Sequence, residues 1–271
     1  MIKTRVIPLL LVKDGLLKKP LRFTERPRTV ANALSLARVF ESRQVDELIL
    51  LDIGNNPKVR NLNSVIVRQI ADNLTVPLTC GGGIRDLDTM RDLIAAGAEK
   101  VTLNTAAVET PELITRGAEL LGRQCVVVSI DAKRGDDGRY EVFTHSGRQA
   151  TGLDPAEWAR KAAEHGAGEI LINSIDRDGT MEGYNTDLIA MVSKAVRVPV
   201  IAAGGAGKLD HFVDAVVTGK ASAVAAGSIF FFRQITPMMV KGALAEVGVP
   251  VRIPKEIADW QTGSARPAPA A

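Results

Sequence analysis

Short runs of apolar, β-branched residues alternate with longer amphipathic stretches along most of the chain. The runs RVIPLLL, ELILLDI, VPLTC, KVTLN, CVVVSID, EILINSID, VPVIAAG and SAVAAG are almost continuously apolar, as strands buried on both faces are. Between them, apolar positions recur at helical spacing in TVANALSLARVFESRQ, SVIVRQIADNL, LDTMRDLIAAG, TPELITRGAELLG, DPAEWARKAAEHG, NTDLIAMVSKAV and LDHFVDAVVTG, several of which stop at glycine. Strands alternating with helices predict a parallel sheet covered by helices. The count and the length fit an α/β fold, the (β/α)8 TIM barrel. A doubly wound open sheet is the alternative. The barrel is expected to occupy residues 1–253 as a single domain, and the Pro- and Ala-rich end, 254–271, to be disordered.

The chain repeats itself. Asp52 in LILLDI answers Asp176 in LINSID, Gly82-Gly83 answers Gly204-Gly205, and Thr105 answers Ser228, all at offsets of 122–124 residues. A fixed offset shared by several motifs predicts duplicated half-barrels. At one position the repeat breaks. Asp131 ends the apolar part of VVVSIDAKRG, and the matching place in VIPLLLVKDG holds Leu11.

Composition narrows the choice of partners. A net charge of +3 with 4% aromatic residues gives no basic, aromatic groove for nucleic acid. No apolar stretch approaches the roughly 20 residues needed to span a bilayer. Cys80 and Cys125 form no CxxC and read as reduced thiols. With no signal peptide evident, the expected location is cytoplasmic. His145, His165 and His211 lack metal-ligand spacing and no nucleotide fingerprint is present, so neither metal nor cofactor is expected.

The loops after the strands carry the candidate chemistry. Gly82-Gly83 followed by Asn104-Thr105 places backbone N–H groups and a hydroxyl where one phosphate would sit, and Gly204-Gly205 followed by Gly227-Ser228 repeats the arrangement. A lone Gly-Gly is as easily a tight turn; two copies at matching spacing point to an extended ligand with a phosphate at each end. Asp131 is placed to move a proton at the barrel mouth, its plainer role being to cap backbone amides. Asp178-Gly179 falls close to the second phosphate position. Asp52 and Asp176 read as loop organisers. Lys13 and Lys19 lie on a long polar first loop that a second long loop, after the fifth strand, matches. At the other barrel end, Arg5, Glu47, Lys100 and Glu169 each precede a strand with alternating sign, a set that pairing would close into a ring.

These stretches, above all GGGIRDLDT, KVTLNTAAV, VVVSIDAKR, GAGEILINSIDRDGT and AAGGAGKLDHF, resemble the HisF family, the cyclase subunits of imidazole-glycerol-phosphate synthase. The resemblance implies a two-half barrel that takes ammonia from a HisH-like glutaminase docked on the N-terminal face. It implies an ammonia gate at Arg5, Glu47, Lys100 and Glu169, and phosphate binding at Gly83, Asn104, Thr105, Asp178, Gly179, Gly205 and Ser228, with Lys19 alongside. It places catalytic aspartates at position 131 and at position 11, where this chain has leucine, which cannot transfer a proton. Asn173 and Ala203 stand where the family carries hydroxylated residues. The segment RVIPLLLVKDGLLKKPLRF and the ending VAAGSIFFF are similar to the glycosyl amidation-associated, WbuZ-type branch. That likeness implies delivery of ammonia toward a nucleotide-linked sugar in surface polysaccharide biosynthesis. Two alternatives remain: a histidine-pathway cyclase with a relocated acid, for which Asp14 is nearest, and a non-catalytic barrel that only activates the glutaminase.

Overall fold

The computed structural model describes residues 3–13, 16–23, 28–29, 39–40, 42–54 and 62–253. Eight parallel strands close into a barrel: β1 (Arg5–Lys13), β4 (Leu48–Asp52), β5 (Leu78–Gly81), β6 (Lys100–Leu103), β7 (Val126–Arg134), β10 (Glu169–Ser174), β11 (Val200–Ala203) and β12 (Ala223–Ala226). Closure comes from β1, which pairs in parallel with β4 on one side and with β12 on the other. The open-sheet alternative is excluded, and all eight predicted strands are present.

Alternation sorts each strand into two cores. On β1, Val6, Leu10 and Val12 face outward into the large core shared with the helices, while Ile7 and Leu9 face inward with Ile49, Val127, Leu171 and Ile201. On β7, Val126, Val128 and Ile130 face outward and Val127 inward. Ser129 and Asp131 share the inward parity of Val127. The outer core is closed by the helices Ser64–Ala71, Leu87–Ala95, Glu112–Leu121, Pro155–Glu164, Thr186–Ala195 and Leu209–Val217, each beginning within a predicted amphipathic stretch. Local chemistry starts several of them. Asn63, Asp86, Asp154 and Asn185 each cap the N-terminus with a side-chain oxygen.

The pattern of apolar positions missed some elements. The two long loops are partly strand: β2 (Leu16–Lys19) and β3 (Arg28–Thr29) extend β1 antiparallel, and β8 (Tyr140–Thr144) and β9 (Gln149–Ala150) extend β7 the same way. Asp131 therefore lies within β7 rather than at its end. Two five-residue helices, Thr105–Glu109 and Ser228–Phe232, and the helix Pro237–Glu246 were also not anticipated. The helix predicted over 29–44 lies largely outside the described residues, as do Asp14 and the tail 254–271. Among the described residues no helix is long and apolar enough to cross a membrane.

The last helix is fixed to the barrel by a buried charge. Lys241, 2% exposed, donates through Nζ to Gln44 O at 2.7 Å and to Asp46 Oδ1 at 2.8 Å. The other Asp46 oxygen accepts from Val6 N at 2.9 Å. Lys241→Met leaves Asp46 buried and unpaired, and urea unfolding is expected to show a loss of about 3–5 kcal/mol. The double change with Asp46→Leu should lose less than the two single changes combined.

Candidate functional site

A cavity of about 360 Å³ opens at the C-terminal ends of the strands, the end at which barrels of this architecture carry their chemistry. Both glycine turns line it, with Thr105, Asp178, Gly179, Ser228 and Asp131. The duplicated motifs thus meet around one opening. Gly82 and Gly204 have φ of +92° and +84°. A Cβ at Gly82 would stand 2.0 Å from Asp52 O, and one at Gly204 2.5 Å from Asn173 Oδ1, so glycine is required on conformational and steric grounds alike. The next turns also match. Asn104 (φ −127°, ψ −92°) and Gly227 (φ −123°, ψ −70°) share an unusual conformation, each leading into a five-residue helix that begins at Thr105 or Ser228. Turns of this kind expose backbone N–H groups, and two of them facing one cavity can take up two anionic groups.

The cavity walls differ. The β1–β4 side carries Leu9, Leu11 and Leu51 with Lys13 and Asp52 at its rim; the β6, β7 and β10 side carries Thr102, Asn104, Ser129, Asp131 and Asn173 with Leu171. Leu11 pairs with Leu51 where Asp131 pairs with Asn173, and each of the repeat-related pair Leu11 and Asp131 is 9% exposed. The broken repeat therefore leaves a carboxyl at residue 131 and none at residue 11. Asp52, near the apolar wall, turns its oxygens to Gly54 N at 2.8 Å and Leu62 N at 3.3 Å, the organising role expected for it. Asp176 plays a similar part, accepting from Arg134 N at 2.9 Å.

Asp131 accepts from Asn104 Nδ2 at 2.9 Å and from Asn173 Nδ2 at 3.4 Å. Burial pushes its carboxyl up to about 7; the amides of Asn173 and Asn104 oppose that shift and the charge of Asp178 adds to it. A carboxyl balanced near neutrality can both give and take a proton. By contrast, burial drives the Cys80 thiol up to about 12, which makes it inert.

Two expected phosphate contacts are engaged within the protein. The side chain of Asn104 is turned to Asp131, and Thr105 Oγ1 accepts from His145 N at 3.0 Å. Lys19 is carried on β2, but its side chain is outside the described part of the structure. Sequence reasoning singled out the long loop after the fifth strand but not the strand arm it forms, nor its His145, Ser146 and Arg148 at the cavity, and it missed Arg85. A signal was available for the arm: YEVFT followed by a Ser-Gly turn has hairpin character. The two arms meet at Phe23, whose ring lies 2.8 Å from where a Cβ on Gly147 would be.

At the opposite end the four charges form a closed ring. Arg5 bonds Glu47 at 2.6 Å and Glu169 at 3.0 Å, and Lys100 bonds the same carboxylates at 3.0 and 3.1 Å. Thr79 Oγ1 donates to Glu47 Oε1 at 2.6 Å. Burial alone would pull the Arg5 pKa down; Glu47 and Glu169 more than offset it, and the value stands raised. Among the described residues no group of His, Cys, Asp and Glu is arranged to hold a metal.

A closed barrel whose two glycine turns and Asp131 share one mouth defines a (β/α)8 protein built on a repeated half. Comparison with known families narrows the class. The family described as "Histidine biosynthesis protein" matches residues 5–236, and this chain belongs to it. The chain is 47% identical over 254 residues to the imidazole glycerol phosphate synthase subunit HisF of Caulobacter vibrioides, in each of two strains, covering 93% of this chain and 97% of the relative. These relatives place the chain in the HisF family.

The raised Asp131 value has a consequence for stability. The folded protein holds this proton more tightly than the unfolded chain, whose aspartates titrate near about 3.9. That contribution is complete below the unfolded value and is lost as pH rises through about 7. Asp131→Asn removes the buried charge. Relative to the wild type, the variant should gain stability between pH 4 and 8, by a few kcal/mol at about 1.4 kcal/mol per pH unit. Urea unfolding across that range provides the measurement; a difference independent of pH would contradict the shift.

Proposed function

We propose that this chain is the barrel subunit of a HisF-type synthase, joining ammonia to a ligand that carries two phosphates, and that its product is the one for which its Caulobacter relatives are named, imidazole glycerol phosphate. The observation that carries the reading is Asp131, a carboxyl titrating near neutrality between two repeat-related glycine turns. The turn at Gly83, Asn104 and Thr105 holds one phosphate, and that at Asp178, Gly179, Gly205 and Ser228 the other. The ligand's reacting centre is thereby held against Asp131, which takes a proton from the incoming nitrogen and returns one to the departing group. The ring of Arg5, Glu47, Lys100 and Glu169 gates ammonia from a glutaminase on the N-terminal face.

Leu11 favours a second reading. With Leu9 and Leu51 it makes the β1–β4 wall largely apolar, and the carboxylate on that side, Asp52, is engaged by Gly54 N and Leu62 N, so a reaction needing a free acid on each side is not served. Transfer of ammonia toward a nucleotide-linked sugar, as the WbuZ-type resemblance implies, is compatible with one acid.

Purified protein supplied with ammonium and the bisphosphate substrate of the histidine pathway distinguishes the two. The first reading expects imidazole glycerol phosphate by mass spectrometry, with Asp131→Asn lowering kcat by about 10²–10⁴-fold. A folded wild type that makes none sinks that reading and leaves the second. With the glutaminase present, Lys100→Ala should depress glutamine-dependent turnover while ammonia-dependent turnover persists; equal effects on both would remove the gate.

A further inference from the structure

Asp131 receives two hydrogen bonds, both from side-chain amides. Both neighbours, Asn104 and Asn173, present N–H to it. That arrangement suits the carboxylate. The acid form carries an O–H, and a buried O–H without an acceptor costs about 1–3 kcal/mol. Burial nevertheless brings the acid form into play near neutrality.

The two amides are not equally placed to respond. Asn104 is held firmly at its donor end, with Nδ2 2.9 Å from Asp131 Oδ2, and its Oδ1 has only a long contact from Thr105 Oγ1 at 3.5 Å. Asn173 is held weakly at one end, with Nδ2 3.4 Å from Asp131 Oδ1, and its own Oδ1 is buried without any hydrogen-bond partner. It stands directly across the β7–β10 register from Asp131. The neighbour beside Oδ1 is Gly204, where a Cβ would lie 2.5 Å away; only glycine there leaves the amide end of Asn173 unclashed. Asn173 therefore has an unused acceptor and a weak donor bond, both beside a group that needs an acceptor once it is protonated. The charged residue whose field reaches Asp131 among the described groups is Asp178, which cannot donate to it as a carboxylate.

We propose that Asn173 is a positioning residue for Asp131: it donates through Nδ2 to the carboxylate and, by turning its amide over, accepts through Oδ1 from the carboxylic acid. One side chain thus stabilises both protonation states in turn, and a single acid can serve both directions of proton transfer. The proposal rests on the reading of Asp131 as the proton-transfer group, but its deciding test needs no turnover.

The test is NMR of the full chain, labelled with 13C and 15N, from pH 5 to 9, following the Asp131 carboxyl carbon and the side-chain amides of Asn173 and Asn104. Turning of Asn173 predicts that its amide protons shift with the same midpoint as the Asp131 carboxyl and lose their proximity to Asp131 on the acid side, while Asn104 keeps its contact throughout. An Asn173 amide that holds one orientation across the titration, or an Asn104 amide that turns instead, overturns the proposal even if the protein proves fully active. In the ammonia-dependent reaction, near-isosteric Asn173→Leu should lower kcat about tenfold, the worth of one hydrogen bond, with KM for the bisphosphate unchanged. A rise in KM at constant kcat would assign Asn173 to ligand binding and likewise overturn it.

Discussion

Closure of the barrel is the constraint on which everything else rests. Because β1 is bonded to β4 and to β12 alike, no parallel strand is left with a free edge, and every second residue must point into a shared interior. That parity decides which side chains can meet. It sends Arg5 and Lys100 to one end of the cylinder and Asp131 and Asn173 to the other, with Ile7, Ile49, Val127 and Leu171 filling the space between. A one-residue slip on β7 would turn Asp131 into the outer core among Val128 and Ile130 and abolish the site.

Duplication then supplies a pair of nearly equivalent poles, which depart from equivalence in their side chains. The turns around Gly82 and Gly204, and those before Thr105 and Ser228, have kept the same backbone. Backbone N–H groups come with any sequence that can adopt such turns, so both poles keep them. Side chains are freer to diverge. Leu11 and Asp131 occupy matching, equally enclosed places, and burial acts on them oppositely: it costs leucine nothing, while it holds the carboxyl of Asp131 at the edge of ionisation.

Much of this was legible in the chain. Unbroken apolar runs such as VIPLLL and VVVSI identify strands buried on both sides, and the fixed offset between repeated motifs identifies the two halves and the paired turns. The alternating signs of Arg5, Glu47, Lys100 and Glu169 foretold the ring, since each stands at the entrance of an inward-facing column. What was not legible depends on tertiary contact. The β2–β3 and β8–β9 arms are polar because they project from the barrel, and polarity hides strand character. Asn104 reads as a phosphate ligand by motif, yet its side chain serves Asp131 in this structure, because a buried carboxylate competes strongly for any nearby N–H. The raised proton affinity of Asp131 comes from enclosure, which no local pattern records.

The most direct test of this account is diffraction from crystals of the full chain soaked in inorganic phosphate. It predicts two phosphates at one mouth, one against the amides of Gly83 and Thr105 and the other against those of Gly205 and Ser228, with Asp131 between them. Phosphate at only one pole, or at neither while the crystals bind it elsewhere, would contradict the claim that a duplicated backbone built a site for one ligand with two anionic ends.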